Sequence, residues 1–327
     1  MQLKNIAIVL LTYNSEKTVI ATLNSILDQS YCLNDIEIVI SDDGSTDDTI
    51  KIISDWLIIN EFKFFNVQFL VNKINLGVSA NVKQAYEAVI SDWIKPIAGD
   101  DTLATNCLTD NVEYIKQHSD CKFLFSYSEC FSLTDSEFKT KSPEPITTML
   151  FELSSDEQFK VLQKTNFPIA PTAFLNKQAV NDVGGVDINF RNVDDYPLWY
   201  QATKHGYKLH FLNAITVRYC IGESISQTQS LLIPLRSFQG WIEIQSKLIL
   251  PDISKSKFFK KIGIVLYPWL MINIAKHFNN KKTRLSVSLV NVVRIFRPPF
   301  FLRNFNKLKF KFKNTNKYKN NEKNSHN

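Results

Sequence analysis

Two pairs of adjacent aspartates in the 327-residue chain are candidates for chemistry. Asp100 and Asp101 end the apolar run of "WIKPIAGDDTLA", and Asp194 and Asp195 sit in "RNVDDYPLWYQA". Neighbouring carboxylates repel unless solvent, a cation or a helix end separates their charge. A solvated turn after a buried strand accounts for the first pair. The first turn of a helix, whose dipole favours acids, accounts for the second. A third acidic stretch, "SDDGSTDDT", carries Asp42 and Asp43 ahead of Gly44, and "LLTYNSEKT" carries Tyr13.

The elements that must position these groups alternate regularly over the first hundred residues. "NIAIVLLTYN", "DIEIVISDDGS", "VQFLVN" and "DWIKPIAGDD" read as strands, apolar and β-branched with polar exits. Between them come helices. "SEKTVIATLNSILDQS" places Val19, Ile20, Leu23, Ile26 and Leu27 at helical spacing after Ser15, the expected N-cap. "STDDTIKIISDWLIIN" puts Ile50, Ile53, Leu57 and Ile58 on one face, and "GVSANVKQAYEAVI" supplies a third helix. Such alternation predicts βαβ units and a parallel sheet covered on both faces, with ligands at the carboxyl ends of its strands. Thr12-Tyr13-Asn14, Asp42-Asp43-Gly44, Asn75-Leu76-Gly77 and Asp100-Asp101 all fall at such ends. From 105 to 230 the pattern loosens. It comprises a helix "ATNCLTDNVEYIKQH", a strand "CKFLFSYSECF", an exposed loop around Pro143 and Pro145, a helix closed by Gly206, and a strand pair in "YKLHFLNAITVRY".

In that order, "TYN", "SDDGSTDDT", "NLGVSAN", "AGDD", "PTAFLNKQAVNDVGGVD" and "VDDYPLW" resemble the inverting, nucleotide-sugar-dependent glycosyltransferases called family 2. The resemblance covers roughly residues 5 to 226 and implies the GT-A fold, a Rossmann-like, mostly parallel sheet flanked by helices. It divides residues 1–230 into a nucleotide-sugar-binding half (1–104) and an acceptor-binding half (105–230). Beyond them, composition indicates a helical, basic and aromatic extension (231–313) and a disordered tail (314–327).

The resemblance also implies roles. Tyr13 stacks on the nucleotide base and Asp43 accepts from a uracil-like ring nitrogen. Asn75, with Gly77 and Asn81, lines the same cleft. Asp101 is a direct ligand of Mg²⁺ or Mn²⁺, with Asp100 near the ribose or the ion's waters. Hard cations of this kind take one or two carboxylates plus the substrate phosphates, and act as the Lewis acid for departure of the nucleoside diphosphate. Asp195 is the base that takes the acceptor hydroxyl's proton opposite the leaving group. Three positions depart from the family pattern: Ala98 replaces an acid two residues before the Asp100 pair, Asp194 replaces the usual Glu of the second pair, and Ile221 replaces a His. The implied donor is a UDP-sugar, and the implied acceptor a hydroxyl of a glycan or lipid-linked glycan in surface polysaccharide synthesis. A sugar nucleotidyltransferase would carry a glycine-rich loop after the first strand, which "LLTYNSEKT" lacks. A non-catalytic nucleotide- or glycan-binding scaffold finds support only in Ala98.

Charge is unevenly placed. Residues 253–327 hold 18 Lys or Arg against one acid, a net +17, while the remainder carries −11. With Phe258, Phe259, Trp269, Phe278 and Phe296 interleaved among the bases, the extension is expected to meet an anionic membrane surface rather than a nucleic acid. Five scattered cysteines indicate neither zinc nor a disulfide framework. No signal peptide is recognisable, and "IGIVLYPWLMINIA" is too short to span a bilayer. The expectation is a cytoplasmic protein, peripheral on the inner face of the membrane.

Overall fold

The structure is a computed structural model describing residues 5–132, 139–221, 231–233, 235–254 and 258–294. They form two compact units, Met1–Ile225 and a second beginning at Ser226.

Among the described residues, the first unit is built on one nine-stranded sheet. Its parallel half comprises β1 (Ile6–Thr12), β2 (Ile36–Asp42), β3 (Asn66–Val71) and β4 (Trp93–Ala98), in the spatial order β3-β2-β1-β4. The helices between them are α1 (Val19–Leu27), α2 (Thr49–Asn60) and α3 (Val78–Ala88). Ile6, Ile8 and Leu10 of β1 bury one face against Leu23, Ile26, Ile53 and Trp56 of α1 and α2. Ala7 and Val9, pointing the other way, are equally buried. Burial on both faces is why these strands are apolar throughout.

The sheet continues through β8 (Phe174–Asn176), antiparallel to β4, and β6 (Phe123–Phe131), antiparallel to β8. β9 (Leu209–Cys220) then runs parallel to β6, with β5 (Thr102–Leu103) on its far side and β7 (Lys139–Ser142) paired to β6. The intervening helices are α4 (Cys107–Gln117), α5 (Pro145–Thr148), α6 (Ser155–Leu162), α7 (Lys177–Asp182) and α8 (Asp195–Lys204).

Several local expectations are corrected. The first helix begins at Val19 rather than after Ser15, with Thr18 as N-cap. Ser15 instead uses its carbonyl to accept from the amides of Thr18 and Val19, forming the turn that precedes the helix. Ile58 is exposed, because Trp56 and Asn60 take the inward positions at that end of α2. The expected strand pair over 207–219 is one strand of 12 residues. A register shift at Ser126–Tyr127 leaves Asn213 and Ala214 unpaired, so the polar residue interrupts the pairing without turning the chain. The loop around Pro143 is in part the edge strand β7.

Two buried charges show what the sheet must accommodate. Glu37 of β2 accepts from the amides of Ile90 and Ser91, closing the turn between α3 and β4. Lys95, mid-β4 and fully buried, donates to the carbonyls of Pro171 (2.5 Å), Ala173 (3.2 Å) and Pro96 (3.3 Å). Burial lowers its pKa, and the carbonyl cage is what an unpaired ammonium needs at that depth.

The second unit contains α9 (Leu235–Glu243), prolonged by helical turns to Asp252, then α10 (Phe258–His277) and α11 (Arg284–Val293). The helix α10 continues through Pro268. Among the described residues no helix is long and apolar enough to cross a membrane. The expected disordered tail, and the aromatic residues from Phe296 onward, lie outside the described residues.

Candidate active site

Strand register places the candidate groups at one edge. Thr12 lies beside Asp42 and Leu11 beside Ala98, so the chain leaves β1, β2 and β4 at the same level. Tyr13, Asp43 and Gly99-Asp100-Asp101 emerge together there. The exits are tied to one another. Asp42 accepts from Thr12 Oγ1 (2.7 Å), Ser45 Oγ (2.6 Å) and the Ser45 amide (2.7 Å). Asn14, left-handed at φ 50°, accepts through Oδ1 from the Thr46 amide at 2.9 Å. Asp42 and Asn14 thus hold the turns, which leaves Tyr13 48 % exposed beside them.

Asp43 is buried and faces the β3–α3 loop. Its carboxylate accepts from the amides of Leu76 (2.8 Å) and Gly77 (3.0 Å) and from Asn72 Nδ2 (3.3 Å). This folds the "NLG" segment over the strand edge. The Asn75 side chain is exposed there, and the Asn75 backbone carbonyl accepts from Arg191 Nη2 at 3.2 Å. Asn81 points the other way, into a buried pairing with Ser41. Gly77 needs its identity: φ is +95°, and a Cβ would lie 2.6 Å from Arg191 Cγ.

Asp100 and Asp101 differ sharply. Asp100 is exposed, yet enough protein surrounds it to raise its pKa by desolvation. Asp101 is fully buried; Oδ1 accepts from the Cys220 amide at 2.8 Å, and its carbonyl accepts from Thr22 Oγ1 at 2.6 Å. Oδ2 is buried with no hydrogen-bond partner. Desolvation first, and then the neighbouring Asp100, push the Asp101 pKa up to about 7, against the opposing pull of Lys95. A carboxylate left with one empty oxygen at this depth suits a cation, which supplies both the missing partner and the missing charge. Among the described residues no group of three or more His, Cys, Asp or Glu could hold a metal. A hard cation that borrows its remaining ligands from substrate phosphates does not require one.

Asp194 and Asp195 open α8. Desolvation is the main cause that raises the pKa of each, and their mutual repulsion adds to it for Asp194. Asp195 Oδ2 accepts from Asn166 Nδ2 at 3.2 Å, which opposes the rise. The buried indole N–H of Trp199 lies near enough to act in the same sense, without forming a hydrogen bond. Tyr86 of α3 feels both acids. The Ser79 hydroxyl donates to the Phe190 carbonyl, so α3 and the loop before α8 are joined.

The sequence reading named these acids but not Asn166, which contacts Asp195, nor Arg191, which contacts the Asn75 backbone carbonyl. Arg191, three residues before Asp194, offered only the signal of a lone cation near acids, and Asn166 offered none. Asn166 fixes the orientation of the Asp195 carboxylate. Asn166→Ala is expected to lower kcat about tenfold, the value of one hydrogen bond to a charged group. Losing a bond that favours the carboxylate raises the Asp195 pKa, so the acid limb of the kcat–pH profile moves to higher pH. A kcat drop with an unmoved acid limb would reduce Asn166 to a structural contact.

The profile of glycosyl transferase family 2 matches residues 7–184. The chain is 25 % identical over 214 residues to a UDP-Glc:alpha-D-GlcNAc-diphosphoundecaprenol beta-1,3-glucosyltransferase of Escherichia coli, covering 65 % of this chain and 76 % of that one. It is 33 % identical over 109 residues to an abequosyltransferase of Salmonella typhimurium, covering 33 % and 32 %. Among solved structures it resembles S. aureus TarS 1–349 in complex with UDP-GlcNAc, with TM-score 0.57, 16 % identity, and 88 % of this chain and 79 % of that one covered. A mannosyltransferase from Pyrobaculum calidifontis in complex with GDP-Man and Mn²⁺ aligns with TM-score 0.56 at 14 % identity, covering 88 % and 73 %.

Proposed function

The chain belongs to glycosyl transferase family 2, and from that membership we propose that it inverts the anomeric centre of a sugar carried from UDP to a hydroxyl of a glycan or lipid-linked glycan. That it is a glycosyltransferase of GT-A fold follows from the family match and the structural likeness. The unpartnered Asp101 oxygen at the shared strand edge is the observation that carries the finer reading.

Each residue has a task. Tyr13 offers a flat, open face for the base. Asp43 keeps lone pairs beyond those used by Leu76 and Gly77, and one can accept from the ring N–H of uracil. The loop it holds, with Asn75 at its tip and Arg191 behind it, closes over the nucleotide. Asp101, with Asp100 beside it, would hold Mg²⁺ or Mn²⁺, whose chemistry is to neutralise the diphosphate as it departs. Asp195 takes the proton of the attacking hydroxyl. Burial raises its pKa above the ordinary carboxylate range, so it is a stronger base than a solvated aspartate. It acts only when ionised, so turnover is lost as pH falls through that raised pKa.

Two of the three donors named for relatives and structural neighbours, UDP-Glc, UDP-GlcNAc and GDP-Man, carry UDP, which supports UDP as the donor nucleotide. Calorimetric titration with UDP and GDP, each with and without Mn²⁺, tests the reading. UDP binding that strengthens with Mn²⁺ and exceeds GDP binding is expected. Failure of both nucleotides to bind would leave a scaffold of the same fold.

A further inference from the structure

The second unit has one apolar face more than its own core uses. Helix α10 buries Ile264, Tyr267, Met271 and Ala275, at spacings of three and four, the last three in one cluster with Val290 and Val293 of α11. That satisfies the single apolar stripe a helix in water requires. On its other side Ile262, Val265 and Trp269 repeat the same spacing in solvent, Val265 62 % and Trp269 60 % exposed. The second stripe is matched on α11 by Leu285, Leu289 and Val292, again at spacings of four and three. Leu285 is 61 % exposed and Val292 57 %. Side chains that recur at this period share one face of each helix.

The surrounding charge has one sign. Lys276, Lys281, Lys282, Arg284 and Arg294 are exposed on these two helices and their turn, and residues 258–294 contain no Asp or Glu. A second copy of the chain would bring like charges together over the apolar contact, which disfavours self-association through this face. Single-stranded nucleic acid would use a row of exposed rings, but five of the six exposed stripe residues are aliphatic. Neither helix can cross a bilayer.

We propose that α10 and α11 dock in the plane of an anionic lipid surface, the stripes Ile262-Val265-Trp269 and Leu285-Leu289-Val292 entering the acyl boundary while the lysines and arginines meet the headgroups. Apolar burial and headgroup attraction act together in such interfacial helices. The docking requires no particular acceptor and does not depend on the assignment of the transfer chemistry.

Flotation of the full chain tests it, using vesicles of phosphatidylcholine alone or mixed with an equal part of phosphatidylglycerol. The wild type is expected to float with the mixed vesicles at low salt and at least tenfold less with phosphatidylcholine. The double variant V265E/W269E changes exposed positions only. It is expected to lose about tenfold or more of the partition while its UDP affinity and far-UV dichroism stay unchanged. If that variant fails to fold, Trp269→Phe decides. It preserves the apolar stripe, so it should still float but lose the quenching of tryptophan emission by brominated lipid. A double variant that floats like the wild type, quenching that survives Trp269→Phe, or a wild type that ignores lipid charge would each overturn the proposal. So would light scattering showing a wild-type dimer that V265E/W269E converts to monomer, because a second copy would then own the face.

Discussion

Asp195→Asn is expected to reduce kcat by roughly 10³–10⁴-fold, the upper range for loss of a general base. The substitution keeps the shape of the side chain and one oxygen for Asn166 Nδ2. UDP affinity should therefore stay near the wild-type value, because donor recognition rests on Tyr13, Asp43 and the Asp100–Asp101 edge. Asp194 sharpens the test. The charge of Asp195 raises the pKa of Asp194, whereas burial rather than Asp194 is what raises that of Asp195. Asp194→Asn should therefore leave the acid limb in place, with a modest change in kcat. Single-turnover measurement with a saturating donor separates these outcomes from product release. Wild-type turnover by Asp195→Asn would remove Asp195 from the role of base.

Asp101→Ala should abolish the Mn²⁺ dependence of UDP binding and lower kcat by roughly 10²–10³-fold, equivalent to several kcal/mol of lost stabilisation of the leaving group. The same change strips the Cys220 amide of its acceptor. A stability loss of about 1–3 kcal/mol is expected in urea unfolding. Asp101→Asn separates the two effects, since its amide oxygen can still accept from Cys220 while the charge is gone. If Asp101→Asn keeps the metal dependence, Asp101 is a structural acceptor for β9 and the exposed Asp100 becomes the better candidate ligand.

The alternation of strands and helices was legible because burial on both sheet faces leaves continuous apolar runs, as in "IAIVLLT" and "IEIVISD". Strand ends were legible for the same reason: a polar cluster can follow such a run only where the chain leaves the sheet. The order of these clusters sufficed to indicate the family and the GT-A fold. Local errors came where one residue served two masters. Ser15 looked like a cap because it is followed by apolar spacing, yet its carbonyl is spent on a turn. "YKLHFLNAITVRY" read as a strand pair, yet a register shift against β6 absorbs Asn213 and Ala214 within one strand.

What each acid does was decided elsewhere. Asp42 and Asp43 are adjacent and identical, but one pins Thr12 and Ser45 while the other gathers a loop more than thirty residues away. Asp101 is half satisfied only because the end of β9, 119 residues on, presents the Cys220 amide to Oδ1 and nothing to Oδ2. Asp195 gains Asn166, and Lys95 gains three carbonyls, through packing that no local pattern encodes. The physical reason is one of range. Hydrophobic periodicity and strand exits are set by neighbours along the chain, so the sequence determined the fold class and where its acids emerge. Desolvation and hydrogen-bond partners are set by groups that only folding brings within 3 Å, so the tertiary structure alone decided which carboxylate is tied down, which is left open, and which is made basic.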